Sequence, residues 1–372
     1  MEFLSLVEDW KGFTPVKEVN KDENYEQKLA ETINLLSNSG RLPAHRYEYL
    51  LREAMTTSDF PLLFGDTIDR QMLAAYKATE PVWKKFTKVS TVRDFREAKR
   101  FKMSGGDNYL AEVAEKGEYP ASSRDEAQYT IRVKKYGRQF DISLEAIIND
   151  DLGALRDTPE RFALAAQRTE ERIITGLYAN DIGSHGAGNL YENGVNATTD
   201  VLSIGALEDA IEAMAGFTSG GEPILNRPKY LVVPPSLEFT ARQILTSATK
   251  MWVDGAAAGA VAYPMTNVVA NYGIELVVDY YLPILGGENG KTAWYLFADP
   301  KDIVVLEAAY LRGHENPEIC MKASDKVTVG GGAISPFEGD FTSDNIVYRV
   351  RHIFGGAKVD WKGTYCSTGV GS

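Results

Sequence analysis

The sequence is poor in residues on which several common protein classes depend. It holds only two cysteines, Cys320 and Cys366, so no disulfide framework is implied. None of its four histidines has another histidine, a cysteine or a carboxylate at metal-ligand spacing, which argues against a zinc site. No apolar run approaches the roughly 18 residues of a membrane span. The first residues, MEFLSLVEDWKGF, lack the basic start and apolar run of a signal peptide. These absences predict a protein that folds in a reducing cytosol.

The charge balance is acidic. Lysine and arginine number 40 against 52 aspartate and glutamate residues, which gives a net charge of −12. A protein that holds nucleic acid by charge needs a basic face, so this balance argues against such a role. It does not argue against a protein that encloses nucleic acid without adhering to it. The hydrophobic fraction of 44%, with 10% aromatic residues, is that of an ordinary folded protein with a sizeable core.

A catalytic constellation is missing as well. There is no G-x-S-x-G elbow, and GGENGKT at Gly286–Thr292 is one residue short of a phosphate-binding loop, because Leu285 stands where the first glycine belongs. The following residues, AWYLF, are typical of a strand and not of a helix, and Asn289-Gly290 is typical of a hairpin turn. The sequence therefore predicts no enzyme and no cofactor. A soluble α/β enzyme that binds a nucleotide at this loop is kept as an alternative of another class, which a nucleotide titration would test.

The strongest secondary-structure signal is a long helix in the middle of the chain. Thr158 fits the N-cap and Pro159 the first turn, so the helix is expected to start there and to continue to Ala179. The expected apolar stripe recurs every three or four residues: Phe162, Ala165, Ala166, Thr169, Ile173 and Leu177. The expected polar face carries Glu170, Glu171 and Arg172. A strand, YTIRVKKYGRQFDIS, and a short helix, LEAIIND, lead into this helix.

Residues 94–138 are predicted to form a long hairpin with basic legs and an acidic centre. A hairpin that stands away from a core is marginally stable alone, so it needs a surface, which in an oligomer is a neighbouring subunit. We expect the acidic centre to meet a basic surface of the next subunit, and the legs to meet acidic side chains. The candidate interface residues are Arg96, Lys99, Arg100, Glu112, Glu115, Glu118, Arg132, Lys134 and Lys135.

The rest of the chain alternates between helical and extended patterns. A helical stripe of Tyr25, Leu29, Ile33 and Leu36 and a second short helix form an N-terminal arm, and a third helix is expected at 66–78. Residues 182–315 are typical of a compact α/β segment, in which KYLVVPP is a buried strand and Ser236 caps a helix. The last strands, from EICMKAS onward, are expected to complete a sheet with the strand before the long helix. Segment 182–315 would then be an insertion.

This order of parts resembles the major capsid protein of tailed bacteriophages, which has the Hong Kong 97-type fold. Three stretches carry the resemblance: KKYGRQFDISLEAIINDD before the long helix, RPKYLVVPPSLEFTARQIL with FADPKDIVVLE, and YRVRHIFGGAKVDWKGTY. The stretch FPLLFGDTIDRQMLAAYKATEPVWKKF is most similar to the Mu-like major head subunit branch. The resemblance implies an α+β capsid fold in which the long helix is the spine of a peripheral domain.

The resemblance also implies an organisation and a set of partners. It assigns residues 1–60 to an N-terminal arm, 61–94, 136–181 and 316–355 to the peripheral domain, 95–135 to the extended loop, and 182–315 with 356–372 to an axial domain. It implies hexamers and pentamers in an icosahedral shell that encloses double-stranded DNA without sequence-specific binding, with no membrane involved. Portal, scaffolding and decoration proteins are the implied partners, and the virion, assembled in the host cytoplasm, is the implied location. An encapsulin-type bacterial nanocompartment, which uses the same fold, is the nearest alternative.

Overall fold

The computed structural model of the 372-residue chain describes residues 72–74, 76–77, 81–104, 113, 125–143, 152–219, 222–224, 226–253, 262–322, 324–325, 340–342 and 345–371. The chain divides into two compact units. The first comprises Met1–Gln71, Gln139–Pro159 and Ile319–Arg349, and the second comprises Met72–Arg138, Glu160–Glu318 and Val350–Ser372. Most of the described residues belong to the second unit. The predicted N-terminal arm and the helix at 144–150 fall outside the described residues. So does the acidic centre of the hairpin, residues 105–128, apart from Val113 and residues 125–128 at the start of β3.

The described elements are short strands and a few helices. The strands are β1 (Thr87–Val92), β2 (Ala98–Ser104), β3 (Asp125–Ile131), β4 (Lys134–Ser143), β5 (Ala197–Thr198), β6 (Thr218–Ser219), β7 (Glu222–Pro223), β8 (Pro228–Val233), β9 (Thr249–Val253), β10 (Ala262–Thr266), β11 (Glu275–Val278), β12 (Trp294–Ala298), β13 (Leu306–Leu311), β14 (Glu318–Met321), β15 (Asn345–Lys358) and β16 (Thr364–Ser367). The helices are α1 (Leu152–Tyr178), α2 (Ile204–Ala215), α3 (Glu238–Thr246) and α4 (Leu282–Leu285).

One sheet is built around β13, whose six residues are all buried. Its strand order is β1-β13-β15-β14, and β4 also pairs with β15. Strand β1 runs parallel to β13, whereas β15 runs antiparallel to it. Tyr348, Val350 and His352 of β15 are buried and Arg349 is exposed, in agreement with the alternation of the sequence. The pairing of β4 with β15 confirms that the closing strands join the strand that precedes the long helix.

A second sheet has the order β11-β8-β12-β16-β5. Strand β8 lies between β11 and β12, parallel to the first and antiparallel to the second. The predicted hairpin turn at Asn289-Gly290 is therefore wrong, because β11 and β12 are not neighbours. Helix α4 and a 3₁₀ turn at Gly287–Asn289 connect them instead. A Cβ at Gly286 or Gly290 would overlap the carbonyl oxygen of Leu282, so these glycines allow the chain to fold back on α4.

The long helix α1 has 27 residues and begins at Leu152, not at Thr158. The predicted N-cap is wrong because the helix continues through Pro159, which removes one backbone donor but leaves the turns on either side intact. The turns after Pro159 are packed against the rest of the second unit, and this packing stabilises the helix. The part of the helix in that unit begins at Glu160. The observed buried face of these turns is Ala163, Ala166, Gln167, Glu170, Ile174, Thr175 and Tyr178.

The predicted polar face of α1 is wrong for Glu170, which is fully buried. One oxygen, Oε1, accepts hydrogen bonds from the hydroxyl groups of Tyr76 and Tyr310, the latter at 3.2 Å, and lies 2.7 Å from Nε2 of His352. Gln167 donates to the backbone carbonyl of Tyr76 at 2.7 Å. A buried carboxylate is costly unless it is paired and hydrogen-bonded, and these partners meet that condition for Oε1, whereas Oε2 has no hydrogen-bond partner among the described residues. The described helical residues around Tyr76 also agree with the helix predicted at 66–78.

Helix α3 does not use the predicted cap. A 3₁₀ turn, Pro235–Leu237, precedes it, and Leu237 is the N-cap without a side-chain hydrogen bond. The hydroxyl of Ser236 instead donates to the backbone carbonyl of Lys291. Ser236 thus ties the turn to the end of the α4 connection, a pairing of distant residues that no local pattern contains.

The buried tyrosines predict a loss of stability at alkaline pH. Burial is the main cause of a raised pKa, above the usual value near 10, in five tyrosines: Tyr76, Tyr178, Tyr191, Tyr295 and Tyr310. A raised pKa in the folded state means that stability is fully present below about pH 10 and falls as the pH rises further, by about 1.4 kcal/mol per pH unit for each tyrosine. Urea unfolding at several pH values, with tyrosinate absorbance recorded in parallel, should show ionisation coincident with unfolding. Ionisation of these tyrosines near their ordinary pKa in a protein that stays folded would contradict the prediction.

Candidate subunit interface at the extended hairpin

Strands β2 and β3 form the base of the predicted hairpin as an antiparallel pair. Their register places Arg100 opposite Tyr129 and Phe101 opposite Gln128. Because side chains alternate along a strand, Arg100 and Phe101 point to opposite faces. The face of Arg100 and Tyr129 is half-buried, whereas Phe101 is 60% exposed and Gln128 is exposed as well. The hairpin therefore has an inward face and an outward face.

The inward face is anchored by a buried carboxylate of β13. Glu307 is fully buried, and the guanidinium of Arg100 forms a salt bridge with its Oε1. The hydroxyl of Tyr129 donates to the other oxygen, Oε2, at 2.7 Å. Arg100 also donates to the backbone carbonyl of Thr91 at 3.1 Å. Both strands of the hairpin are thus joined to the central strand of the first sheet.

A second ion pair lies further out along β2. The ammonium of Lys102 forms a salt bridge with Asp360, whose side chain is 8% exposed. The other carboxylate oxygen of Asp360 accepts the backbone N–H of Lys362 at 3.1 Å. The two anchors lie on alternate residues of one strand, so they hold the same face of the hairpin and fix the direction in which it leaves the sheet.

The return leg of the hairpin crosses β15 at a glycine. The predicted strand from Tyr129 to Ser143 is in fact interrupted at Arg132 and Val133, where the chain passes from β3 to β4. A Cβ at Gly355 would overlap the carbonyl oxygen of Arg132, so only glycine permits this crossing. The neighbouring Gly356 faces α1, where a Cβ would lie 2.8 Å from a methyl carbon of Leu177. Because the two glycines in FGGAK have no side chains, the return leg can pack closely on β15 at Gly355 and the long helix can do so at Gly356.

The predicted interface residues fall into three groups. Lys99, Arg132, Lys134 and Lys135 are exposed, as is Arg96, whose guanidinium lies 3.9 Å from Asp94. Arg100 is engaged within its own subunit by Glu307. The three acidic residues of the centre, Glu112, Glu115 and Glu118, lie outside the described residues. A contact of any of these residues with another subunit stays a prediction.

Sequence reasoning missed the exposed aromatic residue and the buried anchor. Phe101 lies between an arginine and a lysine in RFK, and the alternation of the strand would have placed it on the face opposite to Arg100. Glu307 interrupts an otherwise apolar run, VVLEAAYL, which is the pattern of a buried charge that requires a partner. Its partner, Arg100, is 207 positions away, and no local spacing connects the two.

No group of residues that could hold a metal ion occurs among the described residues. In the same part of the chain, no helix is long and apolar enough to cross a membrane.

Comparison with known proteins identifies the family. The profile of a family described as phage capsid protein matches residues 127–367, which is more than half of the chain. The chain belongs to the phage capsid protein family. The match includes most of β3, the return leg, the long helix, the second sheet, the strands of the first sheet except β1, and the crossing at Gly355. This membership confirms the expected capsid fold of the Hong Kong 97 type, and the chain is a structural shell protein of the virion that assembles in many copies. No curated protein matches this sequence.

Several solved structures are similar at low identity. The capsid of the cyanophage P-SCSP1u is 13% identical with a TM-score of 0.46, over 77% of this chain and 87% of that chain. A phage-related protein from Bordetella bronchiseptica RB50 is 14% identical with a TM-score of 0.45, over 82% and 97%. The holo-SrpI encapsulin complex from Synechococcus elongatus PCC 7942 is 12% identical with a TM-score of 0.42, over 79% and 89%.

Proposed function

We propose that this phage capsid protein forms the hexamers and pentamers of an icosahedral shell around double-stranded DNA, and that the outward face of the hairpin is a contact between subunits. One observation carries the proposal: a hairpin fixed at its base by buried Glu307 presents Phe101 to solvent. Aromatic residues, phenylalanine included, are enriched at protein interfaces, and a rigid support holds such a side chain in position for a partner. Repeated contacts of this kind, in which unlike surfaces of identical subunits meet, close into a shell through symmetry.

The partners follow from this role. Portal, scaffolding and decoration proteins would complete the particle, and assembly would take place in the host cytoplasm. The net charge of −12 disfavours adhesion of the packaged DNA to the subunits. The domain boundaries expected from the sequence belong to the same proposal, with 95–135 as the loop that reaches the neighbouring subunit.

Electron microscopy of the purified full-length protein tests the proposal directly. Closed icosahedral particles are the expected result. A protein that remains monomeric at the concentrations at which related shells form would overturn it. Closed shells that carry a protein cargo and never DNA during phage growth would favour the nanocompartment alternative.

The exposed aromatic residue predicts a sharp mutational effect. Replacing Phe101 by glutamate should lower the yield of closed particles at least tenfold, because an aromatic anchor at an interface contributes about 2 kcal/mol or more. The free energy of unfolding of the isolated subunit should change by less than about 0.5 kcal/mol, since the side chain is already exposed. Particle yield by sedimentation and unfolding by urea measure the two effects.

Gln128→Glu is the matched control, because it places the same charge directly opposite on the same face. It should impair assembly less than Phe101→Glu, and Phe101→Leu should retain most of the yield. Equal yields from the wild type and Phe101→Glu would show that this face is not an interface.

The acidic centre of the hairpin provides a second mutational test of shell formation. Changing Glu112, Glu115 and Glu118 to lysine should impair shell formation, because like charges would meet the basic surface of the next subunit. A control with the same change in net charge replaces exposed Asp200, Glu288 and Asp302 by lysine. Particle yield as a function of salt distinguishes the two triple variants. Normal and equally stable shells from the first variant would refute the prediction.

A further inference from the structure

The exposed side of α1 in the second unit carries arginines and no carboxylate. Between positions 161 and 178, the exposed residues of this helix are Arg161, Leu164, Ala165, Arg168, Arg172 and Gly176. They recur every three or four residues, so they lie along one side of the helix. The three arginines fall within about 40° of one another around the helix axis and extend over about 16 Å.

A groove beside these arginines adds a fourth. Its volume is about 560 Å³, and its lining includes Arg168 and Arg172 of α1, Tyr136 of β4 and Tyr281 before α4. Side chains two positions apart on a strand lie on the same face, so exposed Arg138 shares the face of Tyr136. Four guanidinium groups therefore lie in or beside the groove. We call them the arginine surface: Arg138, Arg161, Arg168 and Arg172.

The subunit does not use these guanidinium groups for its own structure. Within the described part of the chain, none of the four forms a hydrogen bond or a salt bridge. Glu171 interacts electrostatically with Arg168, but its carboxylate accepts a hydrogen bond from the backbone N–H of Val82. Three other arginines each pair with a glutamate: Arg100, Arg242 and Arg351. The arginine surface is thus a basic area left open to an external anion.

The chemistry of this surface fits a chain of phosphates. A guanidinium group binds phosphate through two parallel hydrogen bonds. Duplex DNA carries one negative charge per about 1.7 Å of its axis, so a basic line of this length meets phosphates along all of it. A partner helix would instead require an apolar stripe. On the exposed side of α1 between positions 161 and 178, Leu164 is the one large apolar residue, and it is only 39% exposed.

We propose that the arginine surface faces the interior of the shell and contacts phosphates of the packaged DNA, whatever the DNA sequence. The inference rests on the proposed function, because a shell that encloses DNA brings the two together. It assigns the inward side of the subunit to α1 and β4. The net charge of −12 repels DNA elsewhere on the subunit, so adhesion is confined to this one surface.

Binding of a short DNA duplex to unassembled full-length subunits tests the contact. Measured by fluorescence anisotropy, two duplexes of unrelated sequence should bind equally, with an affinity that falls steeply with salt. Arg168→Gln with Arg172→Gln should lower the affinity roughly tenfold or more at about 0.1 M salt. The same variant should reduce the slope of log affinity against log salt by about 2, one unit for each lost phosphate contact.

The matched control removes two positive charges elsewhere. Lys301→Gln with Arg312→Gln alters exposed residues outside the arginine surface, and the salt slope should stay at the wild-type value. Thermal unfolding of both variants verifies that the subunit remains folded. An unchanged slope in the Arg168 and Arg172 variant, or an equal loss of slope in the control, would overturn the proposed contact.

Closed empty shells test the direction in which the arginine surface points. A long duplex that cannot enter a closed shell should stay unbound in the presence of wild-type shells, whereas subunits released from the same shells should bind it. Binding of this duplex to intact shells, abolished by the Arg168 and Arg172 changes, would place the surface on the outside and refute the inference.

Particle yield separates this inference from the proposed function. The Arg168 and Arg172 variant should form closed particles in wild-type yield, because the inference places DNA and not a second subunit on this surface. A tenfold loss of yield with unchanged DNA binding would show that the surface binds protein, and would refute the inference. Normal particles whose subunits bind DNA as the wild type does would refute the inference alone. A wild-type protein that never forms closed particles would instead refute the proposed function.

Discussion

Replacing Glu307 by alanine should lower the free energy of unfolding by about 4 kcal/mol and release the hairpin from the sheet. The substitution leaves the guanidinium of Arg100, which is only 26% exposed, without its carboxylate. It also removes the acceptor of the Tyr129 hydroxyl. Urea unfolding measures the loss of stability, and hydrogen exchange of β2 and β3 measures the release. Assembly should fall as well, because Phe101 would no longer be held in one position.

Two variants separate the charge from the hydrogen bond. Glu307→Gln keeps an acceptor for Tyr129 and should lose less stability than Glu307→Ala. Tyr129→Phe keeps the ion pair and should cost about 1 kcal/mol, the contribution of one hydrogen bond. A Glu307→Ala protein within about 1 kcal/mol of the wild type, with unchanged exchange in both strands, would show that Glu307 does not anchor the hairpin.

Replacing Glu170 by alanine should lower the free energy of unfolding by a similar amount, about 3 to 5 kcal/mol. Three groups, on Tyr76, Tyr310 and His352, lose their common acceptor in a place that water does not reach. The removed side chain also leaves a cavity between α1 and β15. Urea unfolding followed by circular dichroism measures the effect.

The neighbouring Glu171 is the natural control, because it is half-buried and lies on the adjacent side of the helix. Glu171→Ala should cost clearly less, since it affects the N–H of Val82 and leaves the three partners of Glu170 in place. Glu170→Gln, which retains one acceptor oxygen, should fall between the two. Equal effects of Glu170→Ala and Glu171→Ala would mean that the cluster around Glu170 adds nothing specific.

Local patterns predicted most of the elements correctly. Strand β8 follows from the apolar run KYLVV, and α2 follows from the spacing of Leu207, Ile211 and Met214, of which Leu207 and Met214 are buried and Ile211 is half-buried. The two legs of the hairpin follow from extended basic stretches on either side of an acidic, glycine-rich centre. Ser203, which the sequence analysis did not single out, caps α2 by accepting the N–H of Ala206 at 3.1 Å. Such signals act over three to ten residues, which is the range of helical and strand periodicity.

The incorrect predictions of the start of α1 and of the cap of α3 have a common cause, which is packing between residues that are distant in sequence. Thr158 and Pro159 form a good local start for a helix, yet α1 begins at Leu152 because packing along its later turns outweighs the loss of one donor. Ser236 bonds to Lys291 instead of capping α3, since the turn and the connection after α4 come together only in the folded chain. The intrinsic helix propensity of a residue is a weak preference, and tertiary contacts override it.

The sequence by itself determined the order of the elements, with two extended legs before a long helix, because periodicity is a property of neighbouring residues. The class of protein was implied by the resemblance of several stretches to a known family. Only the tertiary structure decided which charges are buried. Glu170 and Glu307 have the same chemistry as the exposed acidic residues, and their role depends on donors that lie 94 and 207 positions away along the chain. The hairpin that the sequence predicted as a charged arm is therefore a support, held by a buried carboxylate, for an exposed aromatic side chain.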